Sequence, residues 1–340
     1  MGEIKNRLGL PVPDGYVLTT EAYRQFCGIP LWQQIRGALR RADLSDLDSL
    51  QGISLQLMEM VMESPLPRAV EVAVSERARM LAGARGALAV RSSAVGEGGA
   101  RTFAGQFLSL INVLPGRAVS AYKQVVAGRF GERALSYRLS TGLPEVDSPM
   151  AVPFLPVIDA RASDILYARD PKEPKGDRLW LTSTRGLGLD VASGRVPADW
   201  FVMTHKRPHH LLEKRIVCKE EEVLLNAGGG VRRRRLEARE PEEPSLEPEQ
   251  LGTVADWGTR IEEHFGAPQD IEWALDASGK IWILQARPLA LAEGLRSRVR
   301  PRGHPRWPEG SRFTPGARRA RPPWSKTAGL CARHLRGQSC

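Results

Sequence analysis

Gln269-Asp270-Ile271-Glu272-Trp273-Ala274-Leu275-Asp276-Ala277-Ser278-Gly279-Lys280-Ile281-Trp282-Ile283-Leu284-Gln285-Ala286-Arg287-Pro288 reads as two strands and a turn. Residues 270–275 and 280–285 carry the strand pattern, and Asp276-Ala277-Ser278-Gly279 supplies the turn residues. A four-residue turn sets Leu275 opposite Lys280, Trp273 opposite Trp282, Glu272 opposite Ile283 and Asp270 opposite Gln285. Side chains alternate across a strand. Asp270, Glu272 and Gln285 then share one face, with Arg287 following. Ile271, Trp273, Leu275, Trp282 and Leu284 are expected on the other. Two carboxylates, an amide and a guanidinium therefore meet at one end of the hairpin. Carboxylates hold Mg²⁺ through hard oxygens, and a guanidinium grips phosphate oxygens in bidentate fashion. Pattern alone leaves open a solvated polar face or a simple Asp–Arg pair at a strand end.

Upstream, Val90-Arg91-Ser92-Ser93-Ala94-Val95-Gly96-Glu97-Gly98-Gly99 runs a short buried strand (residues 87–90) into an arginine, two hydroxyls and a glycine-rich stretch. Small residues let backbone N–H groups close around phosphate oxygens, and Arg91 adds a positive charge there. No Gly-Lys-Ser/Thr follows, so this is not a Walker A loop, and a plain surface loop remains open. Phe103-Ala104-Gly105-Gln106-Phe107 could fold back over such a site. Gly186-Leu187-Gly188 is a weaker glycine signal, and Ser193-Gly194-Arg195-Val196-Pro197-Ala198-Asp199 reads as an ordinary turn. His205, His209 and His210 have no Asp, Glu or Cys at ligand spacing, so they read as exposed loop histidines. The basic run 232–235 reads as a solvated edge paired with nearby Glu.

Between these points helices and strands alternate. Helical patterns start at Thr19 or Thr20 and cover 58–62, 69–81, 119–130, 134–139 and 251–265. Strands are expected at 152–158, 165–168 and 179–181. Residues 236–250 hold six Glu and three Pro and read as an exposed acidic loop. The chain has 340 residues and a net charge of +10, and the charge is unevenly placed. Residues 291–340 contain twelve Lys or Arg against two Glu, so of the 49 basic and 39 acidic residues the first 290 hold 37 of each. The body is neutral, which argues against a nucleic-acid face on it. The tail, rich in Arg, Pro and Gly, is expected to be disordered. Nothing approaches a membrane span, and the start carries no apolar leader. Four scattered cysteines argue against a zinc site or a disulfide framework. The expected location is cytoplasmic. No Gly-x-Ser-x-Gly elbow or cysteine nucleophile is present.

Together these segments resemble the nucleotide-binding domain of phosphoenolpyruvate synthase and pyruvate phosphate dikinase. Four matches carry the resemblance, in the family's order. Gly9-Leu10-Pro11-Val12-Pro13-Asp14-Gly15-Tyr16-Val17-Leu18-Thr19-Thr20 is the first. Val90-Arg91-Ser92-Ser93-Ala94 with Phe103-Ala104-Gly105-Gln106 is the second. Asp159-Ala160-Arg161-Ala162-Ser163 through Arg169-Asp170-Pro171, then Gly186-Leu187-Gly188 and Ser193-Gly194, form the third. Gln269-Asp270-Ile271-Glu272-Trp273 with Leu284-Gln285-Ala286-Arg287-Pro288 closes the set.

The resemblance implies an α/β (α+β) fold of ATP-grasp type over residues 1–290, with 291–340 as the tail. It implies ATP and Mg²⁺ as cofactors. Arg91 would clamp phosphates beside Ser92 and Ser93, Glu272 and Gln285 would hold the metal, Asp270 would support them, and Arg287 would stabilise the charge in transfer. Arg91 and Arg287 would thus be the catalytic pair. In the family the β-phosphoryl group of ATP passes to a histidine on a separate swivelling domain, and that histidine later phosphorylates pyruvate. No Thr-x-x-Gly-Gly-x-x-Ser/Cys-His motif of that domain is found, since Thr327-Ala328-Gly329 with Cys331 and His334 is wrongly spaced. A separate phosphohistidine-bearing or pyruvate-binding chain would have to supply it.

The family's opening Gly-Gly-Lys segment is also missing. Leu155 stands where a glutamine is common, and Leu189 where a glutamate follows Gly-Leu-Gly. Three other readings stay open. They are an inactive remnant of a split or frameshifted gene, an ATP-grasp carboxylate ligase, and a nucleic-acid binder working through the tail.

Overall fold

A computed structural model describes the protein except residues 43–45, 83–85, 95–107, 142–148, 190, 192–195, 238 and 290–340. The glycine-rich stretch after Ala94, the Phe103–Phe107 segment, Ser193-Gly194-Arg195 and the whole basic tail with His304 and His334 lie outside the described residues.

The N-terminal layer is helix-rich. After α1 (Gly2–Leu8), which packs on the second layer, it holds β1 (Tyr16–Leu18), α2 (Thr20–Phe26), α3 (Ile29–Arg41), α4 (Leu47–Glu63), α5 (Arg68–Ala82), β2 (Leu88–Val90) and β3 (Ser93–Ala94). It continues through β4 (Leu110–Val113), α6 (Ala118–Ala127), α7 (Glu132–Thr141) and β5 (Met150–Pro156). The strands pair in the order β1-β5-β2-β4, with β3 also on β5. Apolar residues recur at four-residue spacing, Leu31, Ile35 and Leu39 on α3 and Val70, Val74 and Ala78 on α5. That period puts one stripe of each helix inward. These stripes close over Leu88, Val90, Val152 and Phe154 to form the first core.

The second layer is a six-stranded antiparallel sheet. Its strands are β6 (Ala160–Tyr167), β7 (Arg178–Arg185), β8 (Asp199–Thr204) and β9 (Leu211–Arg215), then β12 (Gln269–Asp276) and β13 (Ile281–Pro288), in the order β13-β12-β6-β7-β8-β9. A separate hairpin is formed by β10 (Glu221–Leu225) and β11 (Val231–Arg235), and α8 (Pro248–Phe265) precedes β12. Glu247 and Gln250 form a capping box at the start of α8, Pro248 stands in its first turn, and Gly266 ends it in the left-handed region. Along α8, Leu251, Val254 and Ile261 face Leu166, Leu179, Leu181, Ile271 and Trp273, and Ile4 of α1 joins them. The helix lies so close to the sheet that a Cβ on Gly258 would meet Leu166 Cδ2 at 2.2 Å. A third, smaller core of Ile158, Ala160, Leu187, Val223 and Ala274 takes Ile111 of β4 and Trp282 and Leu284 of β13. It joins the two layers.

The expected mixed α/β fold is the one found. The hairpin register differs from the expected one. The backbone closes on Asp276 and Lys280 through an N–H to O bond of 3.0 Å, leaving a three-residue loop with Gly279 at φ +84°. Asp276 Oδ1 organises this turn by accepting from the N–H groups of Ser278 and Lys280. Leu275 therefore faces Ile281 and Ala274 faces Trp282. A bulge at Glu272/Trp273 then shifts the pairing again, so Glu272 faces Gln285 and Asp270 faces Arg287. The two shifts restore the polar grouping but not the apolar one. Ile281 and Ile283 join the α8 core, whereas Trp282 and Leu284 pack into the inter-layer core.

Two further expectations change. Residues 236–250 are not simply exposed, because Leu246 enters the α8 core and Ser245 is buried. His205 is not an exposed loop residue: its Nε2 lies 2.7 Å from Glu262 Oε2 on α8, and Arg169 holds the other oxygen of Glu262 at 2.7 Å. The basic run forms β11, where Arg234 pairs with Glu222 and Glu240.

Candidate functional site

β2 and β12 come from different layers, and their ends bring the polar residues together. Arg91 leaves β2 with its N–H bonded to Pro153 O at 3.0 Å, which anchors it to β5. Its guanidinium crosses to the second layer. There Nη2 lies 2.7 Å from Glu272 Oε2 and also donates to Gln285 Oε1. The register explains this contact, since Glu272 and Gln285 are directly opposed on β12 and β13. Two residues along, Arg287 donates Nε to Asp270 Oδ2 at 2.8 Å, with Nη2 at 2.7 Å from the same oxygen. Asp270 Oδ1 is buried without a partner. Burial pushes the Asp270 carboxyl above the usual carboxylate range, against the pull of Arg287 and with some help from Glu272.

Beside this cluster lies a pocket of about 300 Å³. Arg91, Asp164 and Glu272 line it, together with apolar residues from both layers. Ser92, Ser93, Asp270, Gln285 and Arg287 stand outside that lining. Ser92 is half-buried, and Ser93 is exposed in β3 opposite Ala151. The Gly186-Leu187-Gly188 turn forms part of the wall through Leu187 and Gly188. Gly186 sits at φ +69°, and a Cβ there would lie 2.3 Å from Val223 O. Only glycine fits that backbone approach.

Asp164 is the residue that sequence reasoning missed. It is 5% exposed and opposes Trp273 across β6 and β12, and its Oδ2 has no hydrogen-bond partner. Burial raises its carboxyl to about 7; a hydrogen bond from Thr182 opposes this, and the charges of Glu272 and Asp270 add to it. The only sequence signal was an acidic residue inside an apolar strand, Ala162-Ser163-Asp164-Ile165-Leu166.

The donor set suits a hard cation. A carboxylate and an amide oxygen stand side by side in Glu272 and Gln285, already gathered around a guanidinium nitrogen. Among the described residues no group of three His, Cys, Asp or Glu forms a complete metal cage. Two protein oxygens fit Mg²⁺, which normally keeps waters and takes substrate phosphates as its other ligands. No described helix is long and apolar enough to cross a membrane.

Residues 1–300 match the family model described as the pyruvate phosphate dikinase AMP/ATP-binding domain. The chain is 35% identical over 294 residues to a rifampicin phosphotransferase of Streptomyces, which covers 85% of this chain and 33% of that protein. It is 30% identical over 296 residues to a probable phosphoenolpyruvate synthase of Methanocaldococcus jannaschii, covering 85% of this chain and 25% of that one. Among solved structures it resembles the D-alanyl-alanine synthetase A of Vibrio cholerae at TM-score 0.32 and 11% identity, over 83% of this chain and 52% of the other. The chain thus spans a quarter to a third of the length of these two curated relatives. The family match runs through both layers and through every residue of the Arg91–Glu272 cluster, and the chain belongs to the pyruvate phosphate dikinase AMP/ATP-binding domain family.

Proposed function

We propose that residues 1–290 bind ATP with Mg²⁺ in this cleft and transfer a phosphoryl group from it to a histidine on a separate swivelling domain. The observation that supports this most is the contact of Arg91 with Glu272 and Gln285, which joins a phosphate-binding cation and two cation-binding oxygens across the two layers. Glu272 and Gln285 would hold the Mg²⁺. When bound, the ion would offset phosphate charge and draw electron density from the phosphorus.

The rest is positioning and charge stabilisation, which is what phosphoryl transfer asks of a protein. Nucleotide binding releases Arg91 from Glu272 so that its guanidinium meets the phosphate oxygens, with the Ser92 and Ser93 hydroxyls nearby. Arg287 faces the charge developing on the transferred group and is kept oriented by Asp270. The unprotonated histidine nitrogen forms the new P–N bond at the β-phosphorus as its P–O bond to AMP breaks, AMP leaves as an anion, and the γ-phosphate is cleaved by water and leaves as inorganic phosphate. The final acceptor is chosen by domains other than this one.

Calorimetry with ATP and Mg²⁺ tests this. We expect weak binding that requires Mg²⁺ and is lost in Glu272→Ala and Arg287→Ala. An intact swivelling domain added in trans should then acquire acid-labile phosphohistidine. Binding unchanged in both variants would refute the site assignment.

A further inference from the structure

The β10–β11 hairpin belongs to neither large sheet, yet it bonds to both sides of the pocket. At its base the Leu187 N–H donates to Val223 O at 2.8 Å, and Leu187 and Gly188 stand in the pocket lining. At its tip, residues 226–230 reach β4 of the first layer. Asn112 Nδ2 donates to Asn226 O and to Gly230 O, each at 2.6 Å, and the Gly230 N–H donates to Asn112 O at 3.0 Å. Ile111, the residue before Asn112, also stands in the pocket lining. The local backbone is shaped for this clasp. Val113 opposes Leu88 and Leu110 opposes Val90, so β4 carries one extra residue between them. Asn112 lies in that bulge at φ +61°, the one non-glycine residue with a positive φ among the described residues, and it is 4% exposed. A bulge re-aims a side chain out of its ladder, and the left-handed region is strained for a residue with a Cβ, though Asn tolerates it better than most. The tip is as closely specified. Asn226 O and Gly230 O each accept a second bond within the turn, from the Gly229 and Asn226 N–H groups, at 3.0 Å. Gly229 has φ +95°, and a Cβ there would lie 3.2 Å from Asn112 O.

We propose that Asn112 is a positioning residue for the nucleotide: its clasp on the hairpin tip fixes the gap between the β4 side of the pocket and the Leu187 side, and nucleotide binding tightens the clasp in return. The inference rests on the nucleotide reading above and deepens it. Neither Asn112 nor any of residues 226–230 lines the pocket, so the clasp touches no ligand there. It acts through Ile111 on one side and through Val223 and Leu187 on the other, and these three pack together in the inter-layer core. A close-packed core passes a displacement of the tip on to the walls instead of absorbing it. A strained backbone held by buried hydrogen bonds, away from the ligand, fits such a role. Coupling of this kind is reciprocal: if the closed clasp favours the nucleotide, the nucleotide favours the closed clasp by the same factor.

The test compares the full chain with Asn112→Gly and Gly229→Ala. Glycine adopts the left-handed backbone without strain, so Asn112→Gly removes the amide and leaves the bulge its conformation. Gly229→Ala keeps Asn112 and sets a new Cβ against its carbonyl oxygen. Calorimetry with ATP and Mg²⁺ should show affinity lowered by at least about fivefold in both variants, because two hydrogen bonds no longer favour the binding-competent arrangement. Hydrogen exchange read by mass spectrometry supplies the reciprocal measurement: saturating ATP with Mg²⁺ should slow exchange across residues 226–230 of the parent by at least about fivefold. Circular dichroism confirms that each variant is folded, and Asn112→Gly stands alone if Gly229→Ala is not. A folded Asn112→Gly whose affinity for ATP falls by less than about fivefold would overturn the proposal, even with a lowered denaturant midpoint, since the clasp would then serve stability alone. So would exchange at the parent's tip that ATP leaves unchanged. Absence of ATP binding by the parent would instead overturn the nucleotide reading itself, and this inference with it.

Discussion

Asp164→Asn should stabilise the protein, and the gain should grow with pH. Asp164 is buried, with one carboxylate oxygen unpartnered, and its folded-state pKa rises from 3.8 to about 7. The folded protein therefore holds this proton where the unfolded chain releases it. Below pH 4 both states are protonated and there is no penalty. As pH rises from 4 to 7 the unfolded state ionises first and stability falls, and above 7 the loss is complete. At 1.36 kcal/mol for each tenfold change in proton affinity, the full loss is about 4 kcal/mol. That is a large part of the ~5–15 kcal/mol by which domains are folded.

Asparagine keeps the shape and does not ionise. Its advantage over the parent should be about 4 kcal/mol at pH 8 and about 2 kcal/mol at pH 5, read from denaturant midpoints of both proteins at each pH. Asp164→Ala should show the same pH trend on a lower baseline, because it also removes the titration but leaves a gap. An Asn advantage that does not change between pH 5 and pH 8 would refute the argument, and so would a variant less stable than the parent at pH 8.

Arg91→Ala should bind Mn²⁺ alone more tightly than the parent, because Glu272 and Gln285 lose the cation that now occupies their oxygens; titration followed by electron paramagnetic resonance reads this, and unchanged affinity would count against the metal assignment. Lys219→Met should cost about 3–5 kcal/mol of stability, because Lys219 is fully buried with Nζ 2.6 Å from Asp199 Oδ1 and its loss strands a buried carboxylate; a thermal midpoint equal to the parent's would refute it. Gly186→Ala should lower stability by more than about 2 kcal/mol, since φ is +69° and the new Cβ meets Val223 O. The same substitution should weaken ATP, because the displaced turn carries Leu187 and Gly188 on the pocket wall.

Much of the fold was legible because its signals are local. The 3.6-residue period of α5 and α8 and the turn residues at 276–279 can be read without knowing what they pack against. Strands β8 to β11 went unread. Three of the five positions in β9 and four in β11 are charged or basic, and both strands are largely exposed, so neither shows the alternation of a half-buried strand. The hairpin register was misjudged at Trp282 and Leu284 because the loop holds three residues, not four, which Asp276 fixes by capping the turn; the later bulge at Glu272/Trp273 then restores the polar pairing.

The sequence by itself determined that Asp270 shares a face with Glu272, and Gln285 with Arg287, since alternation within a strand is a property of the backbone; that the two pairs meet on one face depends on the loop and the bulge. Only the tertiary structure decided that Arg91, 181 residues away from Glu272, meets that face, because the inter-layer core around Ala274 draws the two sheets together. It also decided that Asp164 is buried without a partner. Spacing along the chain cannot report that, because the cost of a carboxylate depends on the solvent and hydrogen bonds its neighbours leave it.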